Sequence, residues 1–354
     1  MTERIRVGVV MGGRSSEHEI SLESGRHIHN ALDPARFEKL SLYMDASGGI
    51  WEIGLPLLVQ NTTRDIEARL EADATRIRYE ELPERVDFVY IGLHGKYGED
   101  GCFQGLLELL DLPYSGSGVL GSALGMDKRV QRHLLKGAGL DVPKTHAIDS
   151  AAWAKDRDAE LAKVAESPGY PCVVKPAREG CSTALAVIEA EDADALAAAI
   201  DEALIWDRTA LVEERLDGKE VTVVVLEEAG KPRAYAPTET PPTGDYLTIE
   251  EKFLPGQGVN VTPARLPEAQ LNAVMRAAEA SFATLGLRTF ARIDMYITDS
   301  GRIVIGEPNT LPGSSPSSTI FLGPMEEDIG PMDLLTRIVE DSMRAHAGKK
   351  GPLD

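Results

Sequence analysis

The sequence predicts an α/β protein built from more than one domain. Apolar runs of strand length alternate with helical patterns along the chain, without an internal repeat or a low-complexity segment. A length of 354 residues exceeds one typical domain and suggests two or three. Several strand-like runs also lead through a glycine-rich turn into a helix, a corner that favours anions at the helix start.

The first part of the chain begins with such a corner. IRVGVVMGG has the pattern of a buried strand ending in paired glycines, and SSEHEISLESGRHIHNAL has that of the helix after it. VDFVYIGLHGKYGEDGCFQGLLELL shows the same order again. LPYSGSGVLGSALGMDKRVQRHLLKGAG then predicts a Gly/Ser loop and an amphipathic helix that ends near Gly137 and Gly139. We place the first domain boundary near residue 125.

The middle of the chain, residues 126–216, predicts a smaller lobe. Its short strands lie in PCVVKPAREGCSTALAVI and TALVEERLDG, and an alanine-rich helix runs from about Ala193 to Leu204. The third part, residues 217–354, contains TIEEKFLPGQG and the segment ARIDMYITDSGRIVIGEPNT. The last segment predicts two strands joined by the turn TDSG.

Oxygen-bearing side chains interrupt these two strands. Alternation places Arg292 and Asp294 on one face of the first strand, and Glu307 and Asn309 on one face of the second. Folding at the turn should bring Asp294 close to Glu307. Two carboxylates and an amide suit Mg²⁺ better than Zn²⁺, because no His or Cys joins them. The alternative is an ordinary solvated sheet face.

Composition limits the partners and the compartment. The net charge of -20 argues against nucleic acid, which is bound through clustered Lys and Arg. Three cysteines without metal-type spacing favour neither a disulfide framework nor a zinc site, and they fit a reducing cytoplasm. We also expect no signal peptide and no membrane association, since no apolar run approaches the length of a membrane span.

Eight sequence blocks follow one another along the chain: GGRSSEHEISLESG, LHGKYGEDG, LPYSGSGVLGSALGMDK, VVKPAREGCS, LVEERLDGKEVTV, EEKF, ARID and GEPNTLPG. In this order and spacing they resemble the ATP-grasp ligases and, within them, the D-alanine:D-alanine ligase family. The resemblance implies a three-part ATP-grasp architecture. Residues 1–125 would form a Rossmann-like substrate domain, 126–216 a small central lobe, and 217–354 a C-terminal lobe, with the nucleotide between the last two.

The resemblance also implies an activity. Such a ligase transfers the γ-phosphoryl group of ATP to the carboxylate of a first D-alanine, and the amine of a second substrate then attacks the acyl phosphate. The product is a dipeptide of the D-alanyl-D-alanine type, used for peptidoglycan precursors. The implied cofactors are ATP and Mg²⁺, with two Mg²⁺ ions expected and Mn²⁺ as a substitute.

Nucleotide and metal positions follow from the resemblance. Lys128 and Lys175 match two phosphate-binding lysines, and Lys252 matches a loop lysine that closes over the phosphates. The other matches are Glu213 and Leu216 at the adenine hinge, Glu220 at the ribose, and Asp294, Glu307 and Asn309 as Mg²⁺ ligands. A solvated surface lysine is the alternative for either phosphate lysine. For Lys175 it is weak, because this charge follows the apolar run PCVV.

Catalytic and substrate positions follow in the same way. Glu17 matches the carboxylate that takes the ammonium group of the first D-alanine, and His94 lies in the loop near that substrate's carboxylate. Arg292 matches the arginine that meets the acyl-phosphate and tetrahedral oxygens, and the N–H group of Gly313 would complete the oxyanion site. The alternatives are a helix cap for Glu17, a backbone-bonded loop histidine for His94 and a structural ion pair for Arg292.

Three positions that touch the acceptor depart from the family's usual residues. Cys181 stands in place of a serine and Phe253 in place of a tyrosine, so a hydrogen-bonded triad with Glu17 loses two hydroxyl groups. Ser318 is retained where the second substrate's carboxylate binds, but Thr319 replaces an apolar residue. We therefore expect D-alanine as the first substrate and an acceptor choice broadened or shifted towards D-lactate or D-serine. Neutral drift in an ordinary D-alanine ligase is the alternative.

Other classes of protein share parts of this sequence pattern. A nicotinamide-dependent oxidoreductase could also begin with a strand and a glycine turn, but MGGRSSE lacks GxGxxG spacing. A ligase of specialised metabolism and a non-catalytic ATP-binding relative stay open, because fold does not imply function. The expected partners are ATP, D-amino acids and a second copy of the chain, since FQGLLELLDL could pack across a two-fold axis.

Overall fold

The computed structural model of the protein describes residues 4–180, 183–241 and 259–348. Within these ranges the strands form three separate sheets, each flanked by helices. The α/β prediction is confirmed. Each sheet lies within one of the three predicted segments, and the boundaries near residues 125 and 216 stay a prediction.

The N-terminal sheet has five strands in the order β4-β3-β2-β1-β5. β1 runs parallel to β2 and β5, whereas β3 and β4 add antiparallel pairs at one edge. The strands are β1 Ile5–Gly12, β2 Phe37–Met44, β3 Ile50–Ile53, β4 Ala74–Ile77 and β5 Phe88–Ile91. The helices of this part are α1 His18–Ala31, α2 Leu55–Leu58, α3 Thr63–Glu67, α4 Leu70–Asp73, α5 Leu82–Arg85, α6 Cys102–Leu109 and α7 Val119–Met126.

The central sheet has four strands in the order β6-β9-β7-β8. Its strands are β6 Thr145–Asp149, β7 Cys172–Pro176, β8 Ala186–Ile188 and β9 Thr209–Glu214, all paired antiparallel. The helices are α8 Lys128–Gly137, α9 Ser150–Lys155, α10 Arg157–Glu166 and α11 Ala193–Trp206. The alanine-rich helix therefore ends two residues beyond the predicted Leu204, and α9 and α10 add to the lobe.

The C-terminal sheet is built around a long antiparallel hairpin. Its strands are β10 Lys219–Glu228, β11 Lys231–Ala234, β12 Thr238–Glu239, β13 Phe290–Ile297 and β14 Ile303–Asn309, and its helices are α12 Glu268–Thr284, α13 Leu322–Met325 and α14 Pro331–Ala347. β13 and β14 form the predicted hairpin, and Asp294 pairs with Glu307 across it. The register shifts after this pair, so that Gly306 is an extra residue in β14.

The predicted amphipathic helix that ends near Gly137 is α8, and a separate helix, α7, precedes it. The chain is extended at Asp127, where its carboxylate accepts a hydrogen bond from the N–H group of Val130 at 3.1 Å. A capping aspartate satisfies an unpaired N–H group in the first turn of a helix. Asp127 thus starts a new helix, and Lys128 occupies its first position.

One apolar core joins the two ends of the chain. Leu334, Leu335 and Ile338 of α14 are buried in the same cluster as Val9 and Tyr90 of the N-terminal sheet. The central sheet and the C-terminal sheet each have a further cluster of their own. Within the described ranges, none of the helices has the length and apolar composition needed to cross a bilayer.

Candidate active site

A solvent-open cleft with a cavity volume of about 110 Å³ lies where the N-terminal part meets the C-terminal hairpin. Its wall combines residues that are far apart in the sequence. Seven sequence-predicted site residues line it: Glu17, His94, Arg292, Asp294, Glu307, Asn309 and Gly313. The structure therefore brings the predicted first-substrate, oxyanion and metal positions to one place.

The hairpin supplies the acidic wall of the cleft. Alternation buries Ile293 and Met295 and turns the side chains of Arg292 and Asp294 to the other face, as predicted. Arg292 donates to both carboxylate oxygens of Asp294, with Nε–Oδ1 at 2.9 Å and Nη2–Oδ2 at 2.8 Å. Asn309 donates from Nδ2 to Oδ2 of Asp294 at 3.0 Å. These contacts use the amide nitrogen of Asn309, so its oxygen is the atom that could bind a cation.

The donor set fits a magnesium ion that also binds phosphates. Mg²⁺ is commonly held by one or two carboxylates, with phosphate oxygens and water completing its shell. Asp294 and Glu307 supply two carboxylates from paired positions, and Asn309 adds an amide oxygen on the same face. Among the described residues, no three His, Cys, Asp or Glu side chains form a metal-binding group by themselves.

The predicted phosphate lysines are each paired with a carboxylate. Lys128 is buried, and its Nζ lies 2.7 Å from Oε1 of Glu307. Lys175 Nζ lies 2.7 Å from Oε2 of Glu213. Arg132, one helical turn after Lys128 in α8, donates from Nε to Oε1 of Glu213 at 2.9 Å. The two lysines are thus neutralised locally, and neither is a solvated surface residue.

Burial and neighbouring charges shift the pKa values of several of these paired groups. Burial lowers the pKa of Lys175, with the charges of Arg132 and Lys128 acting in the same direction. Burial opposes ionisation of Glu213, but the charges of Arg132 and Lys175 hold its pKa well below the usual range. Burial also opposes ionisation of Glu307, but the charges of Lys128 and Lys175 lower its pKa. Both carboxylates are therefore ionised at neutral pH.

Glu17 occupies the position before helix α1 without capping it. The helix starts at His18, and the Glu17 side chain makes no cap hydrogen bond. Its carboxylate instead lies against two glycines: a Cβ atom on Gly180 would lie 2.3 Å from Oε1, and one on Gly95 would lie 2.9 Å from it. The alternative of a helix cap is thereby excluded, and Glu17 is a buried carboxylate of the cleft wall.

His94 is buried and hydrogen-bonded on both ring nitrogens. Nδ1 faces the carbonyl oxygen of Leu311 at 3.0 Å and Oε1 of Glu99 at 3.3 Å, so this nitrogen carries a proton. Nε2 lies 2.8 Å from Oγ of Ser24, and the N–H group of Ser314 donates to the same oxygen at 3.1 Å. Burial opposes protonation of the ring, but the hydrogen bond and charge of Glu99 raise the pKa of His94.

The remaining predicted residues surround this centre. Gly313 lines the cleft, and a Cβ atom placed on it would lie 3.5 Å from Oγ of Ser318, so these two residues are neighbours. Thr319 begins a short 3₁₀ helix directly after Ser318. Leu216 is half-buried in the link between β9 and β10. Glu220 is in β10 opposite Tyr296 of β13. Cys181, Lys252 and Phe253 lie outside the described residues.

Sequence reasoning missed three site residues. Arg132 follows Lys128 at i+4 on one helix face, a spacing that could have revealed it. Glu99 lies in the block LHGKYGEDG, where no periodicity distinguishes it from its neighbours, and it contacts His94. Ser24 carried no signal, because its contacts to His94 and Ser314 span 70 and 290 residues of chain.

The three sheets, a cleft with an acidic wall and the lysine–carboxylate pairs beside it fit the ATP-grasp ligase class. Comparison with known families gives a narrower result. The model of the D-ala D-ala ligase N-terminus matches residues 6–117, and that of the D-ala D-ala ligase C-terminus matches residues 134–340. The chain therefore belongs to the D-ala D-ala ligase family, as the sequence blocks predicted.

Individual relatives cover the chain almost completely. The chain is 33% identical over 358 residues to the D-alanine–D-alanine ligase of Geobacillus thermodenitrificans, covering 98% of both proteins. The structure superposes on the D-alanine-D-alanine ligase from Coxiella burnetii with a TM-score of 0.83 and 25% identity, over 98% of this chain and 96% of that one. It matches the VanG D-Ala:D-Ser ligase from Enterococcus faecalis with a TM-score of 0.82 and 25% identity, over 96% and 100% of the two chains.

Proposed function

We propose that this chain is an ATP-dependent ligase that joins D-alanine to a second D-amino acid, in the cytoplasm and for peptidoglycan precursors. The family membership supports the reaction class. The observation that carries the proposal is the shared cleft, which is lined by Glu17, His94 and Arg292 together with the Asp294 and Glu307 pair. A non-catalytic relative would have no need of this combination.

The reaction balances in two steps. A carboxylate oxygen of the first D-alanine attacks the γ-phosphorus of ATP, the bond to the bridging oxygen breaks, and ADP leaves. The amine of the acceptor, after losing a proton, attacks the acyl carbon, and inorganic phosphate leaves with the electron pair of the C–O bond. Positioning and neutralisation of charge supply most of the catalysis in such transfers.

The chain's own residues divide these tasks. Glu17 would bind the ammonium group of the first D-alanine, and His94, which carries its proton on Nδ1, would lie beside that substrate's carboxylate. Arg292 would meet the oxygens that gain negative charge, and the N–H group of Gly313 would donate to the same region. Such donors accelerate the reaction because they are already oriented when the charge develops.

We place the nucleotide between the central and C-terminal lobes. Lys128, Lys175 and Lys252 would contact the phosphates, while Glu213, Leu216 and Glu220 would contact the adenosine part. Asp294, Glu307 and Asn309 would hold Mg²⁺, as two ions with Mn²⁺ as a substitute, and a bound Mg²⁺ supplies charge neutralisation to the phosphates. Arg132 supports this placement, because its buried Nη1 has no hydrogen-bond partner among the described residues.

Release of ADP tests the proposal directly. Purified protein with ATP and Mg²⁺ should release ADP only when D-alanine is added, and one phosphate should appear for each dipeptide formed. L-Alanine at the same concentration is the control. Release of ADP without dependence on a D-amino acid would contradict the proposal, and binding of ATP without any release would favour the non-catalytic relative.

A second candidate differs in the acceptor. The similarity to the VanG D-Ala:D-Ser ligase, together with Phe253 and Cys181, supports a choice broadened or shifted towards D-serine or D-lactate. A hydroxy acid needs no ammonium deprotonated, so its use should increase at lower pH. Competition of D-alanine against D-serine and D-lactate across pH, with Phe253→Tyr in parallel, tests this. Strict use of D-alanine by both proteins would show that Phe253 does not set the acceptor.

We also propose a homodimer through the N-terminal part. Large apolar side chains are exposed on the neighbouring helices α6 and α7, with Leu109 88% and Leu120 72% exposed. Side chains of this kind are often covered by a second subunit. Light scattering should give twice the chain mass for the native protein and the chain mass for Leu109→Glu/Leu120→Glu. A monomeric native protein at working concentration would contradict the assignment.

A further inference from the structure

Two short segments from different sheets interlock around the Glu17 carboxylate. Residues 94–96 follow β5 of the N-terminal sheet, and residues 178–180 follow β7 of the central sheet. Gly95 and Gly180 approach Oε1 of Glu17 so closely that neither could carry a Cβ atom without displacing it. Any shift between the two segments would therefore change the space around this carboxylate.

Lys96 ties these segments together. Its ammonium group pairs with the carboxylate of Glu179, and Nζ also donates to the carbonyl oxygen of Trp206 at 3.1 Å. Glu179 keeps only 7% of its side chain exposed, whereas Lys96 keeps 37%. The lysine thus reaches from a half-exposed position in the N-terminal part to a buried acid in the central lobe.

Glu179 also contacts Lys128, one of the proposed phosphate-binding lysines. Its backbone carbonyl oxygen accepts a hydrogen bond from Nζ of Lys128 at 2.7 Å. Lys128 in turn pairs with Glu307 on the hairpin. One residue of the central lobe is therefore linked through its side chain to the loop of His94, and through its backbone to a proposed phosphate lysine.

We propose that Lys96 is a positioning residue that couples binding of the first D-amino acid to binding of ATP. This inference rests on the proposed function. An ammonium group bound by Glu17 would stabilise the arrangement of Gly95 and Gly180, and Lys96 would transmit this order to Glu179 and so to Lys128. Two ligands that favour one arrangement of the protein strengthen each other's binding reciprocally.

A purely structural ion pair is the competing explanation. Removal of Lys96 would leave the buried carboxylate of Glu179 without this cation, and this would lower the free energy of unfolding whichever role the pair has. Stability alone therefore does not separate the two roles. Linkage between the two ligands does, because a structural pair has no reason to change it.

The experiment measures the affinity for a non-hydrolysable ATP analogue with Mg²⁺ by calorimetry, with and without saturating D-alanine. In the native protein, D-alanine should tighten the analogue by a factor on the order of five or more. Lys96→Met should reduce this factor to about one, and Lys96→Arg, which can still pair with Glu179, should retain it. Glu179→Gln should behave like Lys96→Met, and the double variant should lose nothing further.

Lys163→Met is the matched control. Lys163 forms an ion pair with Glu160 at 2.6 Å in the same lobe, within helix α10, and this pair has no contact with the cleft. Its factor should equal that of the native protein.

Full coupling in Lys96→Met would overturn the inference, and so would analogue binding by the native protein that ignores D-alanine. Both results leave ADP release by the native protein intact. Loss of ADP release itself would instead contradict the proposed function.

Discussion

The two parts of the candidate site, which we propose to bind the nucleotide phosphates and the substrate ammonium group and call the phosphate end and the ammonium end, are built from different kinds of interaction. The phosphate end, formed by Lys128, Arg132, Lys175, Glu213 and Glu307, consists of ion pairs between buried or half-buried charges. The ammonium end, formed by Glu17, Ser24, His94, Gly180 and Ser314, is held by hydroxyl groups, backbone groups and close glycine contacts. Charge therefore governs the first end, and geometry governs the second.

This difference follows from what each end is proposed to bind. A triphosphate brings several negative charges, so its site must contain buried cations before it binds. Paired carboxylates offset the cost of burying these cations. A single amino acid brings one charge of each sign, and its orientation depends on exact distances to a few groups. Substitutions should consequently act through charge at one end and through position at the other.

The largest effect is expected where the phosphate end meets the hairpin. Asp294→Asn or Glu307→Gln removes a charge needed to hold Mg²⁺, and turnover should fall by a factor on the order of 100 or more. Folding should persist because the hairpin keeps its ladder, although Arg292 or Lys128 loses its carboxylate and the free energy of unfolding should fall. Steady-state ADP release and thermal unfolding measure the two quantities. Asp299→Asn, in the exposed turn of the same hairpin, is the control. A near-normal rate at ordinary Mg²⁺ would remove these residues from the metal site.

The next effect concerns stability and pH. Glu213→Gln leaves Arg132 and Lys175 facing no carboxylate at this position, so the free energy of unfolding should fall by about 3 kcal/mol at neutral pH. Folding lowers the pKa of Glu213 from its usual 4.5, because Arg132 and Lys175 outweigh burial. Its stabilisation is therefore fully present above the unfolded pKa and is lost as pH falls through the lower folded pKa.

The difference between Glu213→Gln and the native protein should accordingly shrink on acidification below the usual pKa. Urea unfolding across a pH series measures it. Glu214→Gln is the control in the same strand, since its pairs with Lys144 and Arg302 are partly exposed and should contribute about 1 kcal/mol or less. Equal losses in the two variants at neutral pH would contradict the charge-based construction of this end.

A smaller effect is expected on nucleotide binding. Lys175→Ala removes a proposed phosphate contact, which should raise the Michaelis constant for ATP by roughly 10-fold to 100-fold, equivalent to about 1.5–3 kcal/mol. Stability should change little, because Glu213 retains Arg132 and also accepts from Oγ1 of Thr145 at 3.1 Å. Initial rates across ATP concentrations, with the exposed Lys144→Ala as control, provide the measurement. A protein that unfolds would show that Lys175 is structural.

The smallest effect tests the ammonium end. Ser24→Ala removes the hydroxyl shared by His94 and Ser314, which should lower the free energy of unfolding by about 1–2 kcal/mol. The Michaelis constant for D-alanine should rise while that for ATP stays unchanged. Ser281→Ala is the control, because Ser281 is equally buried in α12 but bonds only within its own helix, to Ala277. Equal kinetic changes for both substrates would erase the distinction between the ends.

The phosphate end was largely predictable from the sequence, because its signals are local. Alternation in β13 and β14 placed Asp294, Glu307 and Asn309 on one face, whereas the exact pairing of Asp294 with Glu307 depends on the extra residue Gly306, which alternation does not predict. The contact between Lys175 and Glu213 was not predictable in this way. It requires β7 to lie beside β9, and the pairing of distant strands is a tertiary property.

The ammonium end was predictable only by residue and not by contact. Glu17 and His94 were identified from their sequence blocks, but their surroundings come from Gly180, Leu311 and Ser314. These residues reach the site through tertiary packing, and no periodicity in the sequence predicts contacts between such distant segments of the chain.

The core that joins α14 to the N-terminal sheet has a consequence for synthesis. A ribosome delivers β1 and β5 early, yet Leu334, Leu335 and Ile338, which pack in the same core, emerge only after the strands of the other two sheets. Nascent domains generally fold in the order in which they leave the ribosome. Here the N-terminal sheet keeps an apolar face uncovered until the other two sheets have been synthesised, so the first of the three sheets made is the last one to complete its core.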